Sequence, residues 1–339
     1  MKNVMLWSKM KTAVSLLLIM MMVVLAACGV TTDTDKGTTN NNGQTEQGAS
    51  ASPSPEATPE PSEEASQTVY PYEVTDATGT VITFEKAPSA VVTLVPSETE
   101  TIFAIGAGAQ VVGVDEWSNY PEEAASIAKI GDMKTNIEAV AALNADLILA
   151  SSSMNVDAIT KLRELGLNVY ASNPKTYDEV VAKVEEIGKI MNMQAGAAEV
   201  AKHMREVKDQ VTSAVKDAEK KKVYLEFSPG WTVGSGEFLD ELLTLAGGTN
   251  ISAAQSGWFE VNGEEVITQN PQLIIYPDFG EEKSSIVAGI EARPGWDTID
   301  AVKNNQLFAV TNDPLVRVGP RLADGLLELA KAIHPELVK

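Results

Sequence analysis

The chain has 339 residues, with 47 aspartates and glutamates against 26 lysines and arginines and a formal net charge of −21. So acidic a protein is a poor partner for nucleic acid and other polyanions. One cysteine and two histidines exclude a disulfide framework and a thiolate metal cluster, and leave little to hold bare zinc or manganese.

Lys2, Lys9 and Lys11 precede the apolar run AVSLLLIMMMVVL at 13–25. This has the form of a signal peptide and is shorter than the roughly 20 residues of a membrane span. It ends Leu25-Ala26-Ala27-Cys28. Small residues before a cysteine resemble the bacterial lipobox, in which that cysteine becomes the lipidated first residue of the mature protein. An ordinary secretory signal with an incidental cysteine is the alternative. Residues 1–27 are therefore read as a lipoprotein signal peptide, with Cys28 the lipidation site. Residues 28–69 hold Thr, Asn, Gly, Ser, Pro, Glu and Ala without apolar bulk. Such a segment buries too little to offset chain entropy, so it is expected to be a disordered acidic tether.

The folded body is expected over 70–339. Residues 72–75 and 81–84 alternate around Asp76-Ala77-Thr78-Gly79, a hairpin pattern. AVVTLV at 90–95 is a buried strand, and Glu98 to Ile105 a helix stopped at Gly106. A strand at 111–114 leads into a loop carrying Trp117 and Tyr120. A helix around Glu138, a strand 146–150, the polar loop 151–153, a helix near 155–165 and a strand 168–170 complete a first lobe, 70–172.

TYDEVVAKVEEIGKIM at 176–191 is a helix of about four turns. Tyr177, Val180, Val181, Val184, Ile187, Gly188 and Met191 share one face. Thr176 and Glu179 fit a capping box, and Glu179/Lys183 and Glu185/Lys189 are expected as i,i+4 pairs on the wet side. The segment 173–193 is read as a connector, because the same strand–helix grammar resumes after it. IEAVAALNADLI (137–148) and GEEVITQNPQLI (263–274) also match at a constant offset of 126. This is either a weak internal repeat, implying two lobes on a stiff rod, or chance.

The second lobe, 194–339, begins with a polar helix expected over 195–220 and a strand at 223–227. The glycine-rich loop 228–236 carries Trp231; a helix 237–245, Trp258-Phe259 and a helix at Glu264 follow. Strands at 273–276 and 307–310, the loop 311–320 and a final helix 321–333 end the chain. Alternating β and α elements imply parallel sheets, with ligands at the carboxyl ends of the strands.

No nucleophile–base set, HExxH, P-loop or GxGxxG is present, and His203 and His334 read as surface residues. The chain is therefore read as a non-enzyme without cofactor or metal. The aromatic loops instead suit a large, partly apolar ligand held between lobes, unless each tryptophan packs under its own loop. Glu138 and Glu264, at the starts of the matched helices, are either N-terminal acids favoured by the dipole or exposed carboxylates for a symmetric basic partner.

VVTLVPSETETIFAIGAG, VVGVDEWSNYP, NIEAVAALNADLILA, VYLEFSPGWTVGSGEFLDELLTLAGGTNI, EEVITQNPQLII and NDPLVRVGPRL together resemble the binding proteins of ABC importers for vitamin B12 and ferric siderophores. The resemblance covers roughly 72–335. It implies an α/β fold of two Rossmann-like lobes with parallel sheets, joined by a single long rigid helix. It implies a lipid-anchored monomer outside the cell membrane, Gram-positive in style, delivering a cobalamin to an importer permease and its ATPase, with a ferric siderophore as the alternative ligand. Trp117, Trp231, Trp258, Asp313 and Arg317 match or fall in ligand-binding positions, Tyr120 is added as a ligand residue from its place in the Trp117 loop, and Glu138 and Glu264 match the carboxylates that dock onto permease arginines. Where some B12 binders carry further tryptophans, this chain has Gly131-Asp132-Met133 and Ser151-Ser152-Ser153, a thinner aromatic clamp.

Overall fold

The computed structural model describes residues 67–339 apart from Lys283, within one compact unit spanning 61–339. The segments read as signal peptide and tether, with Cys28, lie outside the described residues except for 67–69. Strands β1 (Tyr72–Thr75) and β2 (Val81–Phe84) form the expected antiparallel hairpin.

The first lobe runs β3 (Val91–Thr93), α1 (Pro96–Ala104), β4 (Val111–Val114), α2 (Ile137–Ala142), β5 (Leu147–Ser151), α3 (Val156–Glu164) and β6 (Val169–Ser172). Its four strands are parallel in the order β4-β3-β5-β6. Successive residues of a strand face opposite ways. Leu147 and Leu149 accordingly enter one core, and Ile148 and Ala150 another. A sheet covered on both faces needs such near-continuous apolar strands.

The predicted connector is α4 (Tyr177–Ile190), and α5 (Gln194–Val215) packs along it. The Tyr177 hydroxyl donates to the Met204 carbonyl of α5 at 2.8 Å. Gly188 is required for this approach, because a Cβ there would lie 2.3 Å from that of Ala197. Tyr177, Val180, Val181, Val184, Ile187 and Ile190 are all buried, in a core that also holds Leu149 of the first lobe and Leu225 of the second. At about 1.5–3 kcal/mol for each large side chain, that continuous burial resists bending at the connector.

Three local expectations about α4 are corrected. Thr176 caps the helix by accepting from Glu179 N, but the Glu179 carboxylate returns to Lys175 N (2.6 Å) rather than Thr176 N. Lys183 is on the buried side and pairs with Glu98, not Glu179. Lys189 pairs with Glu186, and Glu185 with Arg205, so neither i,i+4 pair forms.

The second lobe runs β7 (Lys221–Ser228), β8 (Trp231–Val233), α6 (Phe238–Leu245), β9 (Gly248–Asn250), β10 (Trp258–Glu260), α7 (Gly263–Gln269), β11 (Leu273–Asp278), α8 (Ser285–Ala292), α9 (Asp300–Lys303), β12 (Leu307–Thr311), α10 (Asn312–Val316) and α11 (Leu322–Ile333). Strands β9, β7, β11 and β12 are parallel. Strands β8 and β10 extend the sheet antiparallel, so the glycine-rich segment 228–236 folds as a hairpin arm rather than a free loop. The repeat is visible in the backbone. Asn136 and Asn262 cap α2 and α7 with their side chains, and Asn144 and Asn270 leave those helices in the left-handed region at φ 49° and 48°. The cap of α2 is Asn136, whose side-chain oxygen accepts from Ala139 N. His334, read as a surface residue, is buried with Nε2 3.1 Å from the Gly247 carbonyl oxygen.

Candidate ligand-binding site

A cavity of about 740 Å³ opens between the lobes. Its first-lobe wall comes from the segments just beyond β3, β4, β5 and β6, and its second-lobe wall from the start of α6, from β10, and from the segment beyond β12. Both therefore use strand carboxyl ends, where parallel sheets leave a crevice open to ligands.

Four of the six expected ligand residues line this cavity: Trp117, Trp258, Asp313 and Arg317. Trp117 is 66% exposed, on a turn fixed by its own N–H donating to Asp115 Oδ1 at 2.8 Å. Trp258 is held edge-on to Phe227 at 4.6 Å between ring centroids and leans on Phe238. Trp231 and Tyr120 are not in the wall. Trp231 stands at the outer end of β8, in register with Glu260 of β10, because the hairpin fixes its direction. Tyr120 lies under the Arg321 guanidinium, 4.0 Å from the ring centroid. The remaining tryptophan of the described residues, Trp296, is a core residue, edge-on to Tyr224 at 5.6 Å.

A charged seam joins the lobes beside the cavity. Glu100 of α1 is 2% exposed and accepts from Arg317 Nη1 at 2.7 Å and from Arg321 Nη2 at 2.6 Å. Arg317 also donates to Asn119 Oδ1 and the Trp117 carbonyl, and pairs with Asp313 at 2.9 Å. One side chain thus fixes both the first-lobe tryptophan turn and the second-lobe acid. Burial alone would lower the Arg321 pKa; the hydrogen bond and charge of Glu100 outweigh it and hold the guanidinium above the ordinary arginine value. Deeper, Glu98 accepts from Lys183 Nζ at 2.9 Å and Ser172 Oγ at 2.6 Å, and Lys183 also donates to the Val318 carbonyl at 2.7 Å. Lys175 of the first-lobe side pairs with Glu237 at 2.7 Å.

Sequence reasoning missed Glu98, Glu100 and Lys183. The available signal was a charged residue on an otherwise apolar helix face, as Lys183 is beside Val180 and Val184. It also passed over Met133 and Met154, which line the first-lobe wall at 61% and 50% exposure. Glu138 and Glu264 lie outside the cavity, exposed in the first turns of α2 and α7, with no ion pair among the described residues.

The periplasmic binding protein family model matches residues 91–314. The chain is 35% identical over 282 residues to an uncharacterized ABC transporter substrate-binding lipoprotein of Bacillus subtilis, covering 80% of this chain and 88% of the other. A possible iron-binding (periplasmic solute-binding) protein from Staphylococcus epidermidis superposes with TM-score 0.65 at 30% identity, over 74% of this chain and 100% of that one. The periplasmic vitamin B12 binding protein of Vibrio cholerae does so with TM-score 0.66 at 27% identity, over 73% and 97%. With two α/β lobes around a crevice and a family match over most of both, the chain belongs to the periplasmic binding protein family, whose members are substrate-binding transport proteins and not enzymes.

Proposed function

We infer that this chain is an extracytoplasmic, lipid-anchored binding protein that captures a corrinoid between its lobes and delivers it to an ABC importer. The carrying observation is the cavity itself. Trp117 and Trp258 reach it from opposite lobes, beside the methionines of the first-lobe wall. Broad apolar surfaces with a few fixed polar groups suit a large flat macrocycle.

Charge favours a neutral or cationic ligand. The lining includes five carboxylates (Glu98, Asp115, Asp132, Glu237, Asp313) against two cations, Lys175 and Arg317. Lys175 is paired with Glu237, and Arg317 with Glu100. An anionic ferric catecholate would meet mostly like charge there. The likeness to the possible iron-binding protein of Staphylococcus epidermidis supports a ferric siderophore as the second reading.

Trp117, Trp258, Asp313 and Arg317 are the ligand contacts in this reading, with Arg317 also holding the Trp117 turn and Asp313 in place. Cys28 is the lipid attachment point, and the working form is a monomer partnered by a permease with its ATPase. The test is calorimetric titration of the full chain in detergent with cyanocobalamin and with ferric hydroxamate and catecholate siderophores. Saturable binding of cyanocobalamin alone is expected; binding of a siderophore alone would replace this reading with the second. A Cys28→Ala chain is expected in the medium rather than in the membrane fraction.

A further inference from the structure

Asn155 stands at the start of α3 and is 3% exposed, yet it belongs to the cavity wall. All but one of its polar groups are committed. Its backbone N–H donates to the Ser151 carbonyl and its own carbonyl accepts from Ile159 N, both at 2.9 Å. Oδ1 accepts from Ser151 N at 2.9 Å. A backbone N–H needs an acceptor, so this bond fixes which end of the amide is the oxygen. Nδ2 then carries two N–H donors with no partner among the described residues. The unpartnered side-chain atoms sealed from solvent there are Glu98 Oε2, Gln110 Oε1 and Thr135 Oγ1. Asn155 Nδ2 is not one of them, so its donors open on the cavity that the residue lines.

Water satisfies such a donor in a solvent-filled cavity. A ligand that displaces the water without bringing an acceptor leaves a buried N–H unmet, which is unfavourable. The place therefore selects for an acceptor. The Ser151 and Ser153 hydroxyls of the same loop are engaged with each other at 3.1 Å. Five carboxylates in the cavity wall disfavour an anionic acceptor, which leaves a neutral oxygen of the carbonyl type.

We propose that Asn155 is a specificity residue whose Nδ2 donates to a neutral carbonyl oxygen of the ligand. This rests on the corrinoid reading above, and assigns that oxygen to one of the primary carboxamides that end the peripheral arms of cobalamin. Asn155→Asp is the informative change. It has the same shape and keeps the bond from Ser151 N, but sets an acceptor where the ligand oxygen needs a donor. Aspartate is as favourable as asparagine at a helix start, so the fold tolerates it.

The test is calorimetric titration of the full chain in detergent at neutral pH, wild type against Asn155→Asp, with cyanocobalamin and with each of its separated monocarboxylic acids. The variant is expected to bind cyanocobalamin on the order of tenfold more weakly at an unchanged melting temperature. One acid, with its carboxylate on the arm that reaches position 155, is expected to lose about a further tenfold. A merely structural role would weaken the parent and all the acids by one factor. The proposal is overturned by that uniform loss, or by a variant that binds cyanocobalamin within about twofold of wild type. Should Asn155→Asp not fold, Asn155→Ser, another favoured helix start, decides the matter: a loss of about fivefold is expected, and unchanged affinity overturns the proposal. Failure of wild type to bind cyanocobalamin at all would instead overturn the corrinoid reading, and this proposal with it.

Discussion

Met133 and Met154 are large apolar side chains left more than half or half exposed, at the rim of a cavity that already has an indole from each lobe. A thioether adapts to an irregular apolar surface and is favourable against a π-system. Replacing both methionines by alanine is expected to weaken cyanocobalamin binding by roughly 10- to 100-fold, since each truncation loses about one to two buried methylene equivalents of ligand contact. The melting temperature should be nearly unchanged, because neither side chain is part of a core. Titration and thermal melting of the same variant check both statements. Arg317→Ala should behave differently. It leaves Glu100 with one partner fewer at a buried position, so stability and affinity should fall together.

At the scale of elements, α2 and α7 are equivalent structures, 126 residues apart. Each begins at an asparagine cap, carries its glutamate in the first turn, and ends at a left-handed asparagine before a central parallel strand. The N-terminal dipole explains a tolerated acid at either place, but by itself requires neither to be free of ion pairs. We propose that Glu138 and Glu264 dock onto basic patches of the permease. Glu138→Ala combined with Glu264→Ala is expected to leave cyanocobalamin affinity within about twofold while abolishing uptake in cells. A large loss of affinity in the purified double variant would refute the docking role.

For the whole molecule, the connector and the charged seam argue for a small motion on ligand capture. The apolar face of α4 is shared by the cores of both lobes, and Glu98–Lys183 and Glu100–Arg317/Arg321 tie α1 to the connector and to the second lobe. A wide hinge opening would have to separate these buried pairs, which is strongly unfavourable once either partner is left alone. Small-angle scattering should therefore give nearly the same radius of gyration with and without ligand; a marked compaction on adding cyanocobalamin would contradict this.

Local regularities determined much of this protein before any coordinates. The period of three and four in 176–191, the apolar strands at 91–95, 147–150 and 273–276, and the matched asparagines are short-range signals, so elements, lobes and family were legible in the chain. Register and pairing between distant segments were not. Whether Trp231 or Trp258 turns toward the crevice depends on the β7–β8–β10 hairpin arm, and whether Lys183 meets Glu179 or Glu98 depends on how α1 packs on α4. Those choices are made by burial and charge pairing across separations of many tens of residues. Only the tertiary structure decided which aromatics and which acids border the cavity.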